Sequence, residues 1–203
     1  MKKRILSLIL MITLLMSFNF SLVNAVTFSD VDSTHWAESY INQMRRNNLL
    51  NGYEDGTFRP ENEVTTGEYI KILAMALYPN YEYKAPEEGH WARPYLNIVD
   101  RTLLSKNAYN DERLDKPIPR IEAAVLACRL HLRFNLDKEI ATDQTNLKMF
   151  SDESLIVEEI DRIMIDNSIS YGIINGFEDG TFRPNDTLTR AEACKIIMTA
   201  MYN

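Results

Sequence analysis

A ten-residue segment occurs twice in this chain and restricts its fold more than any other feature. Residues 51–60 read NGYEDGTFRP and residues 175–184 read NGFEDGTFRP, so nine of the ten positions are identical. Both copies are preceded by a Phe-Ser-Asp sequence and followed by a Thr-x-x-Glu sequence. Self-similarity over such a long period is typical of repeat proteins, whose units bury their apolar faces against neighbouring units.

A weaker third copy lies between these two. The sequence His90-Trp91-Ala92 repeats His35-Trp36-Ala37, and IPRIE at residues 118–122 takes the place of LTRAE at residues 188–192. We therefore predict three repeats, at residues 28–78, 85–132 and 150–202, with residues 133–149 as an inserted connection.

Each repeat shows apolar residues at helical spacing before and after its loop, which predicts a helix-loop-helix unit. In the first repeat the predicted buried faces comprise Trp36, Tyr40, Ile41, Met44 and Leu49, then Tyr69, Ile72, Leu73, Ala76 and Leu77. A unit of this size cannot bury such faces alone. The sequence therefore predicts an all-α protein in which three second helices pack as a pseudo-threefold bundle.

The first 25 residues have the layout of a secretory signal peptide. A basic start is followed by an apolar run at residues 5–20 and by Val23-Asn24-Ala25, which predicts cleavage after Ala25. An uncleaved membrane anchor is the alternative, although the run is short for a membrane span. An exported protein without a membrane partner after cleavage is expected.

Composition limits the other partners. Removing the three cations of the leader from 22 Lys and Arg leaves 19, against 29 Asp and Glu, a net charge of −10. Such a charge argues against nucleic acid or an anionic membrane as the main partner. Cys128 and Cys194 are the two cysteines, so no disulfide framework holds the fold, and either buried free thiols or one bridge fits the sequence.

The start of the predicted second helices contains both structural and candidate binding residues. Thr65 with Glu68, and Thr189 with Glu192, fit a capping box. Arg190, and Arg120 in the middle repeat, stand at the first helical position, where a cation opposes the helix dipole. Such an arginine either receives a carboxylate or phosphate of a ligand, or forms an ion pair within the protein.

Other motifs favour binding or structure over catalysis. Trp36 and Trp91 would stack on a sugar or fill the core, and the general behaviour of tryptophan favours the core. The Asn-Gly and Asp-Gly pairs predict tight turns, while Glu54 and Asp55 lack the ligand spacing of a calcium loop. The histidines have no metal-ligand partners, and no nucleophile motif is present. We expect no cofactor, no metal and no enzymatic activity.

The order FSDV, HWA, GYEDGTFRP, TGE and then GFEDGTFRP, LTRAE resembles the S-layer homology family, whose hallmarks are the loop GYPDGTFRP and the helix start TRAE. The resemblance covers nearly the whole chain after the leader. It implies a three-pronged spindle at the bacterial cell wall that binds a secondary cell-wall polysaccharide, typically through pyruvylated N-acetylmannosamine, in grooves between repeats. It also implies a role for one set of residues in those grooves: Arg190, Arg120, Trp36, Trp91, Gly52 and Gly176.

The chain departs from the family pattern once in each repeat. Thr66 replaces the arginine in the first repeat, SKNAYNDERL replaces the glycine loop in the second, and the third has no tryptophan. Non-covalent attachment to the wall is the leading functional hypothesis. A scaffolding surface protein that contacts other proteins is the alternative, and a wall hydrolase would need catalytic carboxylates or a nucleophile that the sequence does not show.

Overall fold

The computed structural model describes residues 28–104 and 109–203. These ranges contain seven α-helices: α1 (Glu38–Arg46), α2 (Thr66–Leu77), α3 (Arg93–Thr102), α4 (Asp111–Leu114), α5 (Arg120–Phe134), α6 (Glu159–Ser170) and α7 (Arg190–Tyr202). Short 3₁₀ turns occupy Leu147–Met149 and Glu153–Leu155. The all-α prediction is confirmed for this part of the chain. The predicted signal peptide lies outside the described residues.

The second helix of each repeat begins where the sequence predicted. Thr65 and Glu68 form a complete capping box at α2, and Thr189 and Glu192 form the same box at α7. Helix α5 begins after Pro119 without a side-chain cap. Within 28–104 and 109–203, no helix has the length and apolar character that a membrane span requires.

The helices of one repeat do not pack chiefly on each other. Helix α1 packs on α7, α3 packs on α2, and α6 packs on α5. Each first helix therefore lies against the second helix of the preceding repeat, and the first repeat closes on the last. The two helices of each predicted helix-loop-helix unit thus lie apart, and each buries its apolar face against a helix of a neighbouring repeat.

Backbone hydrogen bonds join the three repeats in a closed cycle at the start of the second helices. The amides donate from Thr66 to Lys116 O (2.8 Å), from Arg120 to Asp186 O (2.7 Å) and from Arg190 to Asn62 O (2.8 Å). These bonds satisfy first-turn amides that no helix can pair internally. The second helices pack unevenly, since α5 lies against α7 more extensively than against α2. Their pseudo-threefold arrangement stays a prediction.

The core follows the predicted faces with one exception. Tyr69, Leu73, Ile41 and Met44 are fully buried, as predicted. Trp36 is 53% exposed, so its assignment to the buried face of the first helix is wrong. Trp36 lies before the N-cap Ala37, and α1 begins at Glu38.

The two cysteines are free and buried. Burial raises the pKa of Cys128 to about 11 and that of Cys194 to about 12, because a thiolate loses its hydration in the core. Both thiols therefore stay protonated and pack as small apolar side chains. The one-bridge alternative is not what the structure contains.

The segment predicted as an inserted connection, residues 133–149, includes the last two residues of α5, and part of the remainder contacts α6. Asn167 on α6 accepts a hydrogen bond from Ala141 N (3.0 Å) and donates one to Ala141 O (2.8 Å). The buried Asp166 accepts from Leu147 N at 2.7 Å. Polar groups of one helix thereby hold a segment that lacks an apolar pattern. The repeat boundaries themselves stay predictions.

The Phe-Ser-Asp motif fixes the repeated loop. The carboxylate of Asp30 accepts hydrogen bonds from Phe58 N (2.7 Å) and Arg59 N (2.6 Å). Arg59 has a φ of 58°, a left-handed conformation that is unfavourable for arginine. Asp152 holds the equivalent residues, 182 and 183, in the third repeat. The aspartate thus stabilises a strained turn from 28 residues away.

We predict that the loop carboxylate of Asp179 titrates near pH 2. Hydrogen bonds from Thr181 and then Arg183 lower its pKa from 3.8 to about 2. Because the folded pKa lies below the unfolded one, the stabilising contribution is complete above about pH 4 and is lost as the pH falls through 2. Carboxyl-detected NMR titration of the intact chain measures this value. A midpoint near 3.8 would contradict the prediction, and Thr181→Val should move the midpoint upward.

Candidate functional site

The six predicted binding residues fall into two cavities. Groove A has a volume of about 220 Å³ and is lined by Gly52, Tyr53, Glu68, Lys71, Trp91 and Arg190. Groove B has a volume of about 190 Å³ and is lined by Gly176, Phe177, Glu192, Lys195, Trp36 and Arg120. The two sets match position by position, so the chain contains two versions of one site.

Each groove takes residues from all three repeats. In groove A, the loop and α2 belong to the first repeat, Trp91 to the second and Arg190 to the third. In groove B, the loop and α7 belong to the third repeat, Trp36 to the first and Arg120 to the second. The exchange of helices between repeats is what brings these residues together, so neither groove forms without the closed cycle.

Arg190 is held by protein groups on one side of its guanidinium. Its Nε donates to Phe58 O at 2.9 Å, and its Nη1 donates to Glu68 Oε1 at 2.8 Å. The guanidinium carbon lies 5.1 Å from the centre of the Tyr53 ring. The side chain is 10% exposed. The internal ion pair and the groove position, which the sequence analysis treated as alternatives, therefore occur together.

Arg120 is buried, and both of its hydrogen bonds go to backbone carbonyl groups, whereas one of the two bonds of Arg190 goes to a carboxylate. Its Nε donates to Phe182 O at 2.9 Å, and its Nη2 donates to Asn175 O. Burial lowers the pKa of its guanidinium, while nearby Glu192 opposes that effect. Both arginines thus donate hydrogen bonds to backbone carbonyl groups of a glycine loop, and these bonds order the floor of each groove.

The tryptophans form walls and are not core residues, which corrects the expectation from average behaviour. Trp36 is 53% exposed and Trp91 is 44% exposed. The histidine before each accepts a hydrogen bond from the helix-start amide two residues on, from Ala37 N to His35 and from Ala92 N to His90, both at 3.1 Å. This hydrogen bond fixes the backbone beside each tryptophan. An exposed ring at the edge of a cavity is suited to stacking on a sugar.

Gly52 and Gly176 shape the grooves because they have no Cβ atom. A Cβ atom on Gly52 would lie 2.2 Å from the ring of Phe28, and one on Gly176 would lie 1.9 Å from the ring of Phe150. Those phenylalanines open the Phe-Ser-Asp motif of the same repeat. Gly52 and Gly176 thus permit the motif to pack beneath the loop, a structural role that the resemblance did not supply.

Sequence reasoning missed two lysines. Lys71 and Lys195 line grooves A and B, each three residues after a capping glutamate. The signal was present, because both strong copies read Thr-x-x-Glu-x-x-Lys, whereas the middle copy has Val125 at the lysine position.

The departures from the family pattern converge on the positions of one further groove. Equivalent positions would be Thr66, Glu122, Val125 and the loop of the second repeat, part of which lies outside the described residues. Thr66 is fully buried and donates its hydroxyl to Lys116 O at 3.1 Å. Glu122 pairs with Arg113 of its own repeat at 2.7 Å. Both tryptophans of the chain already belong to grooves A and B.

Comparison with known proteins supports the resemblance that the motifs predicted. The model of the S-layer homology domain matches residues 27–70 and 165–194. These two segments are S-layer homology segments. They and the similar S-layer proteins indicate a location at the cell surface, as predicted. The matched segments contain the glycine loops at residues 51–60 and 175–184, which form the floors of grooves A and B.

Several longer proteins are similar to nearly the whole chain or to half of it. An endoglucanase of Bacillus sp. (strain KSM-635) is 25% identical over 98% of this chain and 22% of its own length. A cellulosome-anchoring protein of Acetivibrio thermocellus is 31% identical over 52% of the chain and 26% of its length. An S-layer protein of Bacillus licheniformis is 27% identical over 84% of the chain and 19% of its length. The chain thus spans about a quarter or less of these three relatives.

Proposed function

We propose that this chain attaches non-covalently to the cell wall by binding an acidic secondary wall polysaccharide in grooves A and B. The observation that carries the proposal is the repeated set of six residues that lines both cavities. Anchoring at the cell surface agrees with the family and with the printed name of the cellulosome-anchoring relative. The enzymatic names of other relatives belong to proteins several times longer than the aligned region.

The chemistry of each groove suits a sugar that carries an acid. An exposed indole ring offers a flat apolar face to a pyranose. An arginine and a lysine against one glutamate leave each groove with one net positive charge, in a chain whose expected mature charge is −10. A carboxylate on the sugar, as in pyruvylated N-acetylmannosamine, would complement that charge. The polysaccharide is held without covalent chemistry or a cofactor.

The scaffolding alternative rested on the degenerate repeats. In the structure, the substituted arginine position and the valine that replaces the groove lysine both lie outside grooves A and B. The described residues therefore retain two full sets of groove residues despite the divergence. That distribution favours glycan binding over a general loss of the binding residues.

Co-sedimentation of the chain with purified walls tests the proposal. We predict strong retention on walls that keep their secondary polymer and little retention on stripped walls. Trp36→Ala with Trp91→Ala should lower binding by more than about 100-fold, since it removes the aromatic wall of both grooves. Phe134→Ala is the matched control, because Phe134 is 44% exposed and lines neither groove. Equal retention on both wall preparations, or by the double variant, would refute polymer binding in these grooves.

A further inference from the structure

Each groove contains a lysine one helical turn beyond its capping glutamate. Lys71 follows Glu68 on α2, and Lys195 follows Glu192 on α7, in both cases by three residues. Residues at this spacing lie on the same face of a helix. The lysine and the glutamate of each groove therefore face that groove from adjacent turns of one helix. This helix belongs to the first repeat in groove A and to the third repeat in groove B.

In groove A, Arg190 is paired with Glu68, so Lys71 supplies the unpaired positive charge. In groove B, neither Lys195 nor Arg120 is paired with a carboxylate among the described residues. Glu68 is engaged by Arg190 at 2.8 Å and by Thr65 N at 2.9 Å. Among the described residues, neither groove lysine has a carboxylate oxygen within 4.0 Å, the distance at which the ion pairs here are defined. The ammonium group of Lys71 lies 5.8 Å from the ring centre of Tyr95.

Groove A also shows where that free charge would meet a ligand. The Tyr95 ring beneath Lys71 makes an edge contact with Trp91, with 6.3 Å between ring centres. Lys71 therefore lies beside the aromatic wall on which a sugar would stack. A carboxylate carried by that sugar would lie between the ammonium group and the edge of the arginine.

The lysine and the arginine are lost together at the third set of positions. Val125 replaces the lysine and is 6% exposed, and Thr66 replaces the arginine. A lysine that only increased solubility would not be expected to be present or absent together with the arginine. Its joint presence in two sets of positions and joint absence in the third indicate one shared ligand group.

We infer that Lys71 in groove A and Lys195 in groove B are the specificity-determining residues that pair with the acid of the bound sugar. Arg190 and Arg120 each order the glycine loop of their groove. The guanidinium edge that these bonds leave free would be a second donor to the acid. This inference rests on the proposed function and deepens it, because it assigns acid recognition to residues that the family resemblance did not mark. No covalent step is involved, and binding is reversible.

Isothermal titration calorimetry of the full chain tests the inference with two probes. They are the methyl glycoside of pyruvylated N-acetylmannosamine and the methyl ester of the same glycoside, which lacks the charge. We expect Lys71→Gln with Lys195→Gln to weaken binding of the acid about tenfold, the size of one charge-assisted contact. Binding of the ester should not change. The double Lys→Arg variant should restore most of the affinity. Lys138→Gln with Lys148→Gln, at two exposed positions outside both grooves, is the charge-matched control.

The outcomes separate the inference from the proposed function. If the Gln variant binds the acid as tightly as the wild type and keeps the same preference over the ester, the lysines do not recognise the acid, and wall binding through the grooves stands. If the wild type binds neither probe, the proposed function fails together with the inference. A selective loss of acid binding, with a smaller dependence on salt, would support both.

Discussion

Gly176→Ala is expected to lower the free energy of unfolding by about 3 kcal/mol, the upper range for overpacking a core. The added methyl group would lie 1.9 Å from a ring carbon of Phe150, which is 7% exposed and supports the loop from beneath. Either the ring or the loop must shift. Since the loop is the floor of groove B, binding should weaken as well. Thermal and urea unfolding, with the chain intact, measure the loss.

Two companion variants make the Gly176 result specific. Gly180 has a φ of 77° and open space around its Cβ position, so Gly180→Ala should cost only the backbone strain, about 1 kcal/mol. In a Phe150→Ala background the clash is absent, and Gly176→Ala should then cost less than about 1 kcal/mol. Equal costs in both backgrounds would contradict the steric account and point to backbone entropy.

Loss of a single groove is expected to lower the apparent affinity for polymer-bearing walls by about 100-fold. Two sites on one chain bind a repeating polymer with a gain from effective concentration that one site cannot reach. Trp91→Ala removes the wall of groove A but leaves groove B unaltered, since Trp91 lines only groove A of these two. Trp36→Ala should give the mirror result. Wall-binding isotherms for both single variants and the double variant provide the measurement.

The same single variants should behave differently with a monovalent sugar. Each should bind half as many molecules with unchanged affinity, because the remaining groove is intact. A 100-fold loss on walls combined with a mere halving of monosaccharide sites would demonstrate two cooperating grooves. If either single variant binds walls like the wild type, the affinity does not come from both grooves.

The sequence was sufficient for the elements because the local signals agree. The capping boxes at Thr65 and Thr189 begin helices at the predicted residues, and the apolar spacing after them matches the buried faces. Helix starts depend on a few neighbouring residues, which the repeated motif makes easy to recognise. The S-layer homology family was also recognised from these motifs.

The packing of the helices was not predictable from the same signals. An apolar face shows that a helix is covered, but it does not show by which helix. The pairing of α1 with α7 depends on the closed cycle of the three repeats, whose contacts join residues more than 100 positions apart, such as Arg190 and Asn62. The same cycle determines which arginine meets which loop, so the composition of each groove required the structure.

Two errors in the sequence analysis have physical causes. Trp36 was assigned to the buried face because it fits the spacing of Ile41 and Met44, yet it lies two residues before α1 begins, so helical spacing does not determine where it points. Lys71 and Lys195 were overlooked because a lysine on a helix is usually a solvated residue. Their position in the grooves, Lys71 with Trp91 and Lys195 with Trp36, required the structure.

The number of sugar molecules that one chain binds tests the central claim most directly. Native mass spectrometry with the pyruvylated N-acetylmannosamine glycoside, checked by calorimetry, should give two molecules per chain, one each for grooves A and B. A value of three would show that the positions around Thr66 and Val125 also bind the sugar. A value of none, or one molecule insensitive to Trp36→Ala and Trp91→Ala, would contradict the assignment of both grooves.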